Sequence, residues 1–569
     1  MIKKRINKLR KLIRLNNLNG YIIPKNDQYF SEFAFPNRLK TISNFTGSAG
    51  FAIILENKNY LFVDGRYTTQ AKIESSKNFK IIEIPKLWPK NIFKSNSKIS
   101  IGFDPKLFTA STLLKYFENV CKLHPINNNL IDELYLENKQ KNTSLFYNLS
   151  NKITGETTSS KINRVLKKIN KSKIDNIFLS APENVAWILN LRGKDNPYSP
   201  IPNCKMIITK NKKIYFFAQK SKTKNIIKMN AYKNFSFNEI GDIPNIIGKL
   251  KGKNFCVDGT TCSIFYQSLI NSKFVIKYFK DPCYEMKAIK NSVEIKNMKT
   301  AHILDGIALT KFLYWIKNNK LKKITELYVE KKLENFRKEN KNFLFPSFNT
   351  IAGSGPNSAI IHYRAKKDTN RKINNKDLLL CDSGGQYKFG TTDVTRTICF
   401  DKPSKKIKEI FTRVLKGHIA VYTTNLNKIN KGYLIDKRAR YWLKQINLDY
   451  GHGTGHGVGF FLNVHEGPQA ISKYNSIALK KGMILSNEPG YYKENQFGIR
   501  IENLVFIDKG KKGIKFKNLT LAPLDRNLIE NKLLTKKEKD YISEYHKEIY
   551  SKISKYLNKK EKKWMLSLI

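Results

Sequence analysis

The sequence predicts a multidomain protein in which α/β units are followed by an α+β unit, and three observations predict it. The chain has 569 residues, too many for one hydrophobic core when a domain takes about 150 residues. Through its first half, short apolar runs alternate with segments of helical period. From about Met286 two long amphipathic helices give way to short strands, glycine-rich turns and most of the clustered polar residues. A content of 41% hydrophobic and 12% aromatic residues suits a folded chain without large disordered regions.

The elements follow in order. In the basic start MIKKRINKLRKLIRLNN, Ile2, Ile6, Leu9, Leu12 and Ile13 fall on one face at helical spacing. This predicts a docked first helix; a basic organelle-targeting segment is the alternative, and the apolar core of a secretory signal is missing. GYIIP (20–24), GFAIIL (50–55) and NYLFVDG (59–65) read as strands. The polar, weakly periodic stretch 139–160 is a candidate boundary. The pattern then repeats: helix SSKINRVLKKIN precedes strands NIFLSAP (176–182), KMIITK (205–210) and KIYFFAQ (213–219), which hints at a duplicated fold. Helices are expected over 292–319 and 324–340, and again in the tail TKKEKDYISEYHKEIYSKISKYL. Expected domains are 1–150, 151–285, 286–508 and 509–569. No stretch approaches the ~18 consecutive apolar residues of a membrane-spanning helix.

Seven scattered cysteines (Cys121, Cys204, Cys256, Cys262, Cys283, Cys381, Cys399) form no CxxC pair, which argues against a disulfide framework and a zinc-thiolate site. A reducing, cytoplasmic compartment fits them. Lys+Arg 104 against Asp+Glu 46 gives a formal charge of +58. The lysines spread along the whole chain in company with asparagine and isoleucine, the pattern AT-rich coding produces. No nucleic-acid-binding motif accompanies them, so specific nucleic-acid binding is not expected.

The chemistry concentrates late in the chain. In LLLCDSGGQYKFGTTDVTRTICF (378–400), Asp382 and Asp393 stand on two apolar runs separated by a glycine-containing turn, a hairpin pattern. Leu378, Leu380 and Asp382 share one face, and a carboxylate there is costly unless paired or metal-bound. By themselves the two could equally be exposed turn aspartates. GHGTGHGVG (451–459) carries His452 and His456 at the spacing of a helical zinc site, but its glycines forbid a stable helix and instead allow close backbone approach. His465 follows in NVHEGP. Glu488 precedes Pro489-Gly490 in LSNEPGYY, where a turn role is the plain reading. In FGIRIENLVFI (497–507), Arg500 and Glu502 alternate with Ile499 and Ile501, and a surface salt bridge between the two charges is the plain reading. Taken together, Asp382, Asp393, His456, Glu488 and Glu502 make four carboxylates and one imidazole. That donor set suits pairs of Mn, Co, Fe or Zn ions better than a structural zinc.

The order and spacing of these residues resemble the pita-bread metallopeptidases, which include methionine aminopeptidase, prolidase and aminopeptidase P. PSFNTIAGSGPNSAIIHYRA (346–365), DSGGQY, TTDVTRT, GHGTGHGVGFFLNVHEGP, LSNEPGYY and GIRIEN look like the long, three-domain aminopeptidase P. So do SNFTGSAGFAIIL, DGRYTTQA, LSAPENVAWILNLRG (179–193) and TLAPLDRNLI, so the resemblance covers essentially the whole chain. Since it begins near residue 5, little room for a targeting peptide is expected. It implies two creatinase-like α/β domains before a pita-bread catalytic domain, a homodimer, and two divalent ions, with Mn2+ favoured over Co2+ or Zn2+. It further implies that Asp382 binds one ion with both oxygens, Asp393 and Glu502 bridge the pair, and His456 with Glu488 hold the other. His362, His452 and His465 match histidines that contact substrate or move protons, and Arg500 matches an arginine behind the ligands. The implied reaction is hydrolysis of the first bond of peptides with proline at position 2. Glu488 would relay the proton, and His452 or His465 would donate to the oxyanion. The alternatives are a prolidase restricted to Xaa-Pro dipeptides and a noncatalytic pita-bread protein, which could dispense with the five ligands kept here.

Overall fold

The computed structural model describes residues 2–93, 99–134, 142–170, 173–229, 232–511 and 513–569. Residues 139–141 of the boundary stretch therefore lie outside the described residues. The chain divides into two compact units, one of Met1–Ser150 with Glu156–Cys283 and the other of Asn151–Gly155 with Tyr284–Ile569.

The first unit holds two six-stranded mixed sheets. In one, Gly20–Pro24 pairs antiparallel with Phe51–Leu55 and parallel with Ser100–Phe103. In the other, Asn176–Leu179 pairs antiparallel with Lys205–Thr209 and parallel with Asn254–Val257. The outer strands repeat the match, each sheet adding one antiparallel and then one parallel neighbour on one side and a parallel neighbour on the other. The duplicated fold hinted at by the element order is therefore present in the pairing pattern. The helix Ile2–Leu15 buries Ile2, Ile6, Leu9 and Ile13, with Leu12 partly buried beside them. Its lysines stay outside, as an amphipathic stripe requires. All seven cysteines are buried, and among the described residues none forms a disulfide.

In the second unit the helix Ser292–Lys317 begins at a capping box made by Asn291 and Glu294. Its Phe312, Leu313 and Ile316 pack with Val329 and Leu333 of the helix Glu326–Lys338 and with Leu379, Cys381, Val394 and Ile398. Those last four come from the antiparallel pair Leu379–Ser383 and Val394–Ile398. Because side chains alternate along a strand, Leu379 and Cys381 turn to the helices while Leu380 and Asp382 face the other way. The expected hairpin over 378–400 is present, with a small pair, Gly385–Tyr387 and Gly390–Thr391, built into its connection. A five-stranded antiparallel sheet carries Gly455–Gly457, Ile484–Asn487 and Asn503–Gly510. The stretch 497–507 departs from the single strand expected: Phe497–Arg500 and Asn503–Gly510 belong to different sheets, and Glu502 sits in the break. The tail forms the helix Lys536–Ile553, whose Ile542, Tyr545 and Ile549 join Ile499 and Ile501 in one core. Among the described residues no helix is long and apolar enough to cross a membrane.

Candidate metal centre

Four separate chain segments of the second unit bring the carboxylates together. Asp382 lies directly across the strand pair from Thr395, and Asp393 precedes that partner strand. The backbone N–H of Glu502 donates to Thr395 O at 3.2 Å, which seats the break in the 497–507 stretch against the same pair. His456 arrives on Gly455–Gly457, and glycine is required on either side of it. A Cβ on Gly455 would stand 2.0 Å from Ser486 O, and one on Gly457 2.2 Å from Glu466 O. That close approach is what sequence spacing led one to expect, and it lets the Ser486 hydroxyl accept from His456 N at 2.9 Å while donating to Glu488 Oε1 at 3.0 Å.

Ligand atoms of Asp393, His456 and Glu502 all lie within 4.8 Å of one another. His456 Nε2 is 3.4 Å from Asp393 Oδ2 and 3.6 Å from Glu488 Oε1. Asp382 and Glu488 stand at the margin of that triple. Asp382 Oδ2 accepts from Arg500 Nη2 at 2.6 Å, and its other oxygen, Oδ1, is buried without a hydrogen-bond partner among the described residues. The surface Arg500–Glu502 pair is not what forms: both residues are 2% exposed, and Arg500 reaches a carboxylate 118 positions away instead. Glu502 Oε2 accepts from the Thr395 hydroxyl at 2.8 Å, and that hydroxyl accepts from Arg500 Nε at 3.1 Å.

The histidines are held in defined tautomers. His456 Nδ1 lies 2.9 Å from Gly457 O, and a carbonyl only accepts, so Nδ1 carries a proton and Nε2 is turned to the carboxylates. His452 Nδ1 likewise donates to Gly453 O at 2.8 Å, and its Nε2 is 2.9 Å from the Tyr492 hydroxyl. That hydroxyl accepts from Arg500 Nη1 at 2.6 Å, which leaves its own proton for His452. The His465 ring stands edge-on to His456 with centroids 4.4 Å apart. His362 occupies the segment whose Ile361 carbonyl is 3.5 Å from Arg500 Nη2. These contacts link Asp382, Asp393, His452, His456, His465, Glu488, Arg500 and Glu502, while His362 is tied in through its neighbour Ile361.

Electrostatics make the cluster unstable as four bare charges. Burial, with Asp382 and Glu488 nearby, pushes Asp393 up to about 6 against the opposing bond to His456. Burial, then the charges of Asp393, Glu488 and Asp382, drive Glu502 well above the carboxylate range. Burial opposes protonation of His456, yet the bond to Asp393 and the charges of Glu488 and Asp393 raise it to about 9. Divalent cations would relieve this repulsion. The unpartnered Asp382 oxygen, the carbonyl-braced His456 and the oxygen-rich donors fit such ions. Thr395, Ser486 and Tyr492 brace the centre and were not singled out by sequence reading. Their signal was only membership of the strings TTDVTRT, LSNEPG and GYY. Glu466, next to His465, is also anchored by charge: its oxygens meet Lys290 Nζ at 2.5 Å and Lys287 Nζ at 3.2 Å in a buried triad.

Fold and donor set define the class: a divalent-metal hydrolase centre in an α+β domain. Residues 296–509 match the metallopeptidase family M24 and 512–567 its C-terminal region, while 5–134 and 137–294 each match a creatinase/prolidase N-terminal domain. A probable Xaa-Pro aminopeptidase P of Laccaria bicolor is 38% identical, covering 97% of this chain and 91% of that one. Xaa-Pro aminopeptidase 1 of Dictyostelium discoideum is 35% identical across 100% of this chain and 96% of its own. Among solved structures, the X-prolyl aminopeptidase of Caenorhabditis elegans, described as a cytosolic enzyme with a di-nuclear active site, aligns with a TM-score of 0.92 at 28% identity over 100% of this chain and 99% of that one. A Pyrococcus furiosus prolidase aligns at 0.50 and 26% identity, covering 62% of this chain and 98% of its own. The chain belongs to the Xaa-Pro aminopeptidase P family of M24 metallopeptidases.

Proposed function

We propose that this chain is a metallo-aminopeptidase that removes the first residue from peptides carrying proline in second position. The observation that carries the reading is the buried cluster of Asp393, His456 and Glu502 with Asp382 and Glu488 at its edge, in a chain whose relatives of matching length are named Xaa-Pro aminopeptidases. Asp382 would hold one divalent ion, Asp393 and Glu502 would bridge two, and His456 with Glu488 would hold the second. When bound, such a pair supplies Lewis acidity and a water of lowered pKa.

The chain's own groups supply the rest. Glu488 accepts a proton from the water that attacks the carbonyl carbon and returns it to the proline nitrogen as the C–N bond breaks. His465 donates to the developing oxyanion. Both ring nitrogens of His452 are engaged, one by Gly453 O and one by Tyr492. His452 instead passes orientation from the Arg500–Tyr492 pair to Glu488, whose Oε2 is 3.9 Å from His452 Nδ1. Arg500 holds one oxygen of Asp382 and so aims the carboxylate. His362 contacts the substrate beyond the ligands. The substrate's free amine meets the same carboxylate-rich centre, which restricts cleavage to the chain end.

Manganese is the proposed native metal, since hard oxygen donors dominate the set. A homodimer and a cytosolic location follow the family and the described Caenorhabditis elegans enzyme. The front unit favours longer peptides over the dipeptides of a prolidase. The test is cleavage of Xaa-Pro against Xaa-Pro-Pro peptides by metal-free protein, with Mn, Co and Zn restored separately. Cleavage of dipeptides alone would make it a prolidase, and undiminished cleavage without metal would defeat the mechanism.

A further inference from the structure

One carboxylate outside the ligand set collects an unusual number of donors. Glu326, fully buried at the start of the helix Glu326–Lys338, has no cationic partner among the described residues. Its Oε1 accepts from Ser354 N at 2.8 Å and Asn357 Nδ2 at 3.0 Å. Its Oε2 accepts from the Tyr363 hydroxyl at 2.7 Å and Arg371 N at 2.9 Å. All four donors belong to the single segment 354–371, taken at its start, middle and end, and His362 lies within it. The return bond from Glu326 N to Arg371 O, 3.0 Å, closes the segment's far end onto the same helix turn.

The opposite edge of the segment is tied to the metal centre. Gly498 N donates to Ser358 Oγ at 2.7 Å, and Arg500 Nη2 reaches Ile361 O. His362 is thus slung between two anchors: the strand that carries Arg500, and the Glu326 carboxylate. A segment without regular helix or strand around His362 has few backbone bonds of its own to fix a ring. The buried acceptor supplies them.

We propose that Glu326 is a positioning residue for the cleavage reaction, setting His362 against the substrate by fixing the 354–371 segment. The proposal rests on the substrate-contacting reading of His362. Glutamine cannot substitute for it. Whichever way its amide is turned, the NH2 faces a backbone N–H, that of Ser354 or that of Arg371.

The test is a double-mutant cycle on the manganese-loaded full chain with an Xaa-Pro-Pro peptide. Glu326→Gln lowers kcat/KM by about 10- to 100-fold, the scale of a misplaced contact group, with bound metal per chain unchanged. In the His362→Ala background the same change has little further effect, within about twofold, because the group it serves is gone. Tyr363→Phe, which removes one donor and keeps the ring, repeats the cycle at smaller amplitude and decides the matter if Glu326→Gln does not fold. Losses that multiply in full show that Glu326 does not act through His362 and overturn the proposal. A His362→Ala enzyme with unaltered kcat/KM overturns the reading of His362 itself, and the proposal with it.

Discussion

His546 gives the sharpest quantitative test of the packing. It is fully buried in the helix Lys536–Ile553; its Nδ1 donates to Ile542 O at 2.9 Å, and its Nε2 accepts from Leu524 N at 3.1 Å. Burial, helped by Arg526 and Arg396, lowers its pKa from 6.5 to about 4. Protonation would aim an N–H at the Leu524 N–H. The folded state therefore binds fewer protons than the unfolded state between pH 6.5 and 4. Stability is complete above the unfolded value and drains as pH falls through this window. At pH 5 the unfolded ring is almost fully charged and the folded one about a tenth charged. The ratio of about 30 costs roughly 2 kcal/mol relative to pH 7.5. His546→Gln keeps an acceptor for Leu524 and cannot titrate. Urea denaturation of metal-free protein, followed by tryptophan fluorescence at both pH values, isolates the term. The wild type should lose about 2 kcal/mol more than the variant between them. Equal losses would show that His546 is not held neutral, and would refute the reasoning from its two backbone partners.

Other consequences follow from the same geometry. Asp393→Ala or Glu502→Ala removes a proposed metal ligand, so bound metal should fall and turnover vanish while circular dichroism is preserved; an active variant would break the metal assignment. Tyr492→Phe frees His452 Nε2 and Arg500 Nη1 without changing shape, so kcat should fall more than KM rises; a change confined to KM would place Tyr492 in uniform substrate binding instead. Glu466→Gln strands two buried lysines and should cost about 3–5 kcal/mol in denaturant stability; a loss under about 1 kcal/mol would mean that the triad is solvated in solution.

What was legible in the sequence was whatever repeats locally. The stripe Ile2, Ile6, Leu9, Ile13 and the alternation Leu380, Asp382 are properties of one element, and burial follows them directly. The glycines around His456 were legible too, because a missing Cβ signals close approach whatever the neighbour turns out to be. Pairings across the chain were not. Arg500 and Glu502 look like natural partners two residues apart, yet the strand breaks between them, and each answers to the Asp382–Thr395 pair instead. Glu326 reads as an ordinary helix-start glutamate, a residue the helix dipole favours. Its four donors lie up to 45 positions away, and nothing local announces them. His302, His418 and His546 illustrate the converse. They are histidines in helices whose ring nitrogens meet backbone carbonyls, and their value is structural.

The bracing of the donors has an asymmetry that bears on how the centre works. Glu502 and Glu488 are braced by hydroxyls, Thr395 and Ser486, and His456 by a carbonyl. Neutral braces orient a ligand without competing for its charge. Asp382 is braced by a guanidinium, and Arg500 in turn is fastened to Tyr492 and Thr395. A guanidinium holds one carboxylate oxygen while leaving Oδ1 bare. Burial and the charges of neighbouring carboxylates push Asp393 and Glu502 towards protonation. Divalent ions held by these residues would lower the cost of ionising the two acids.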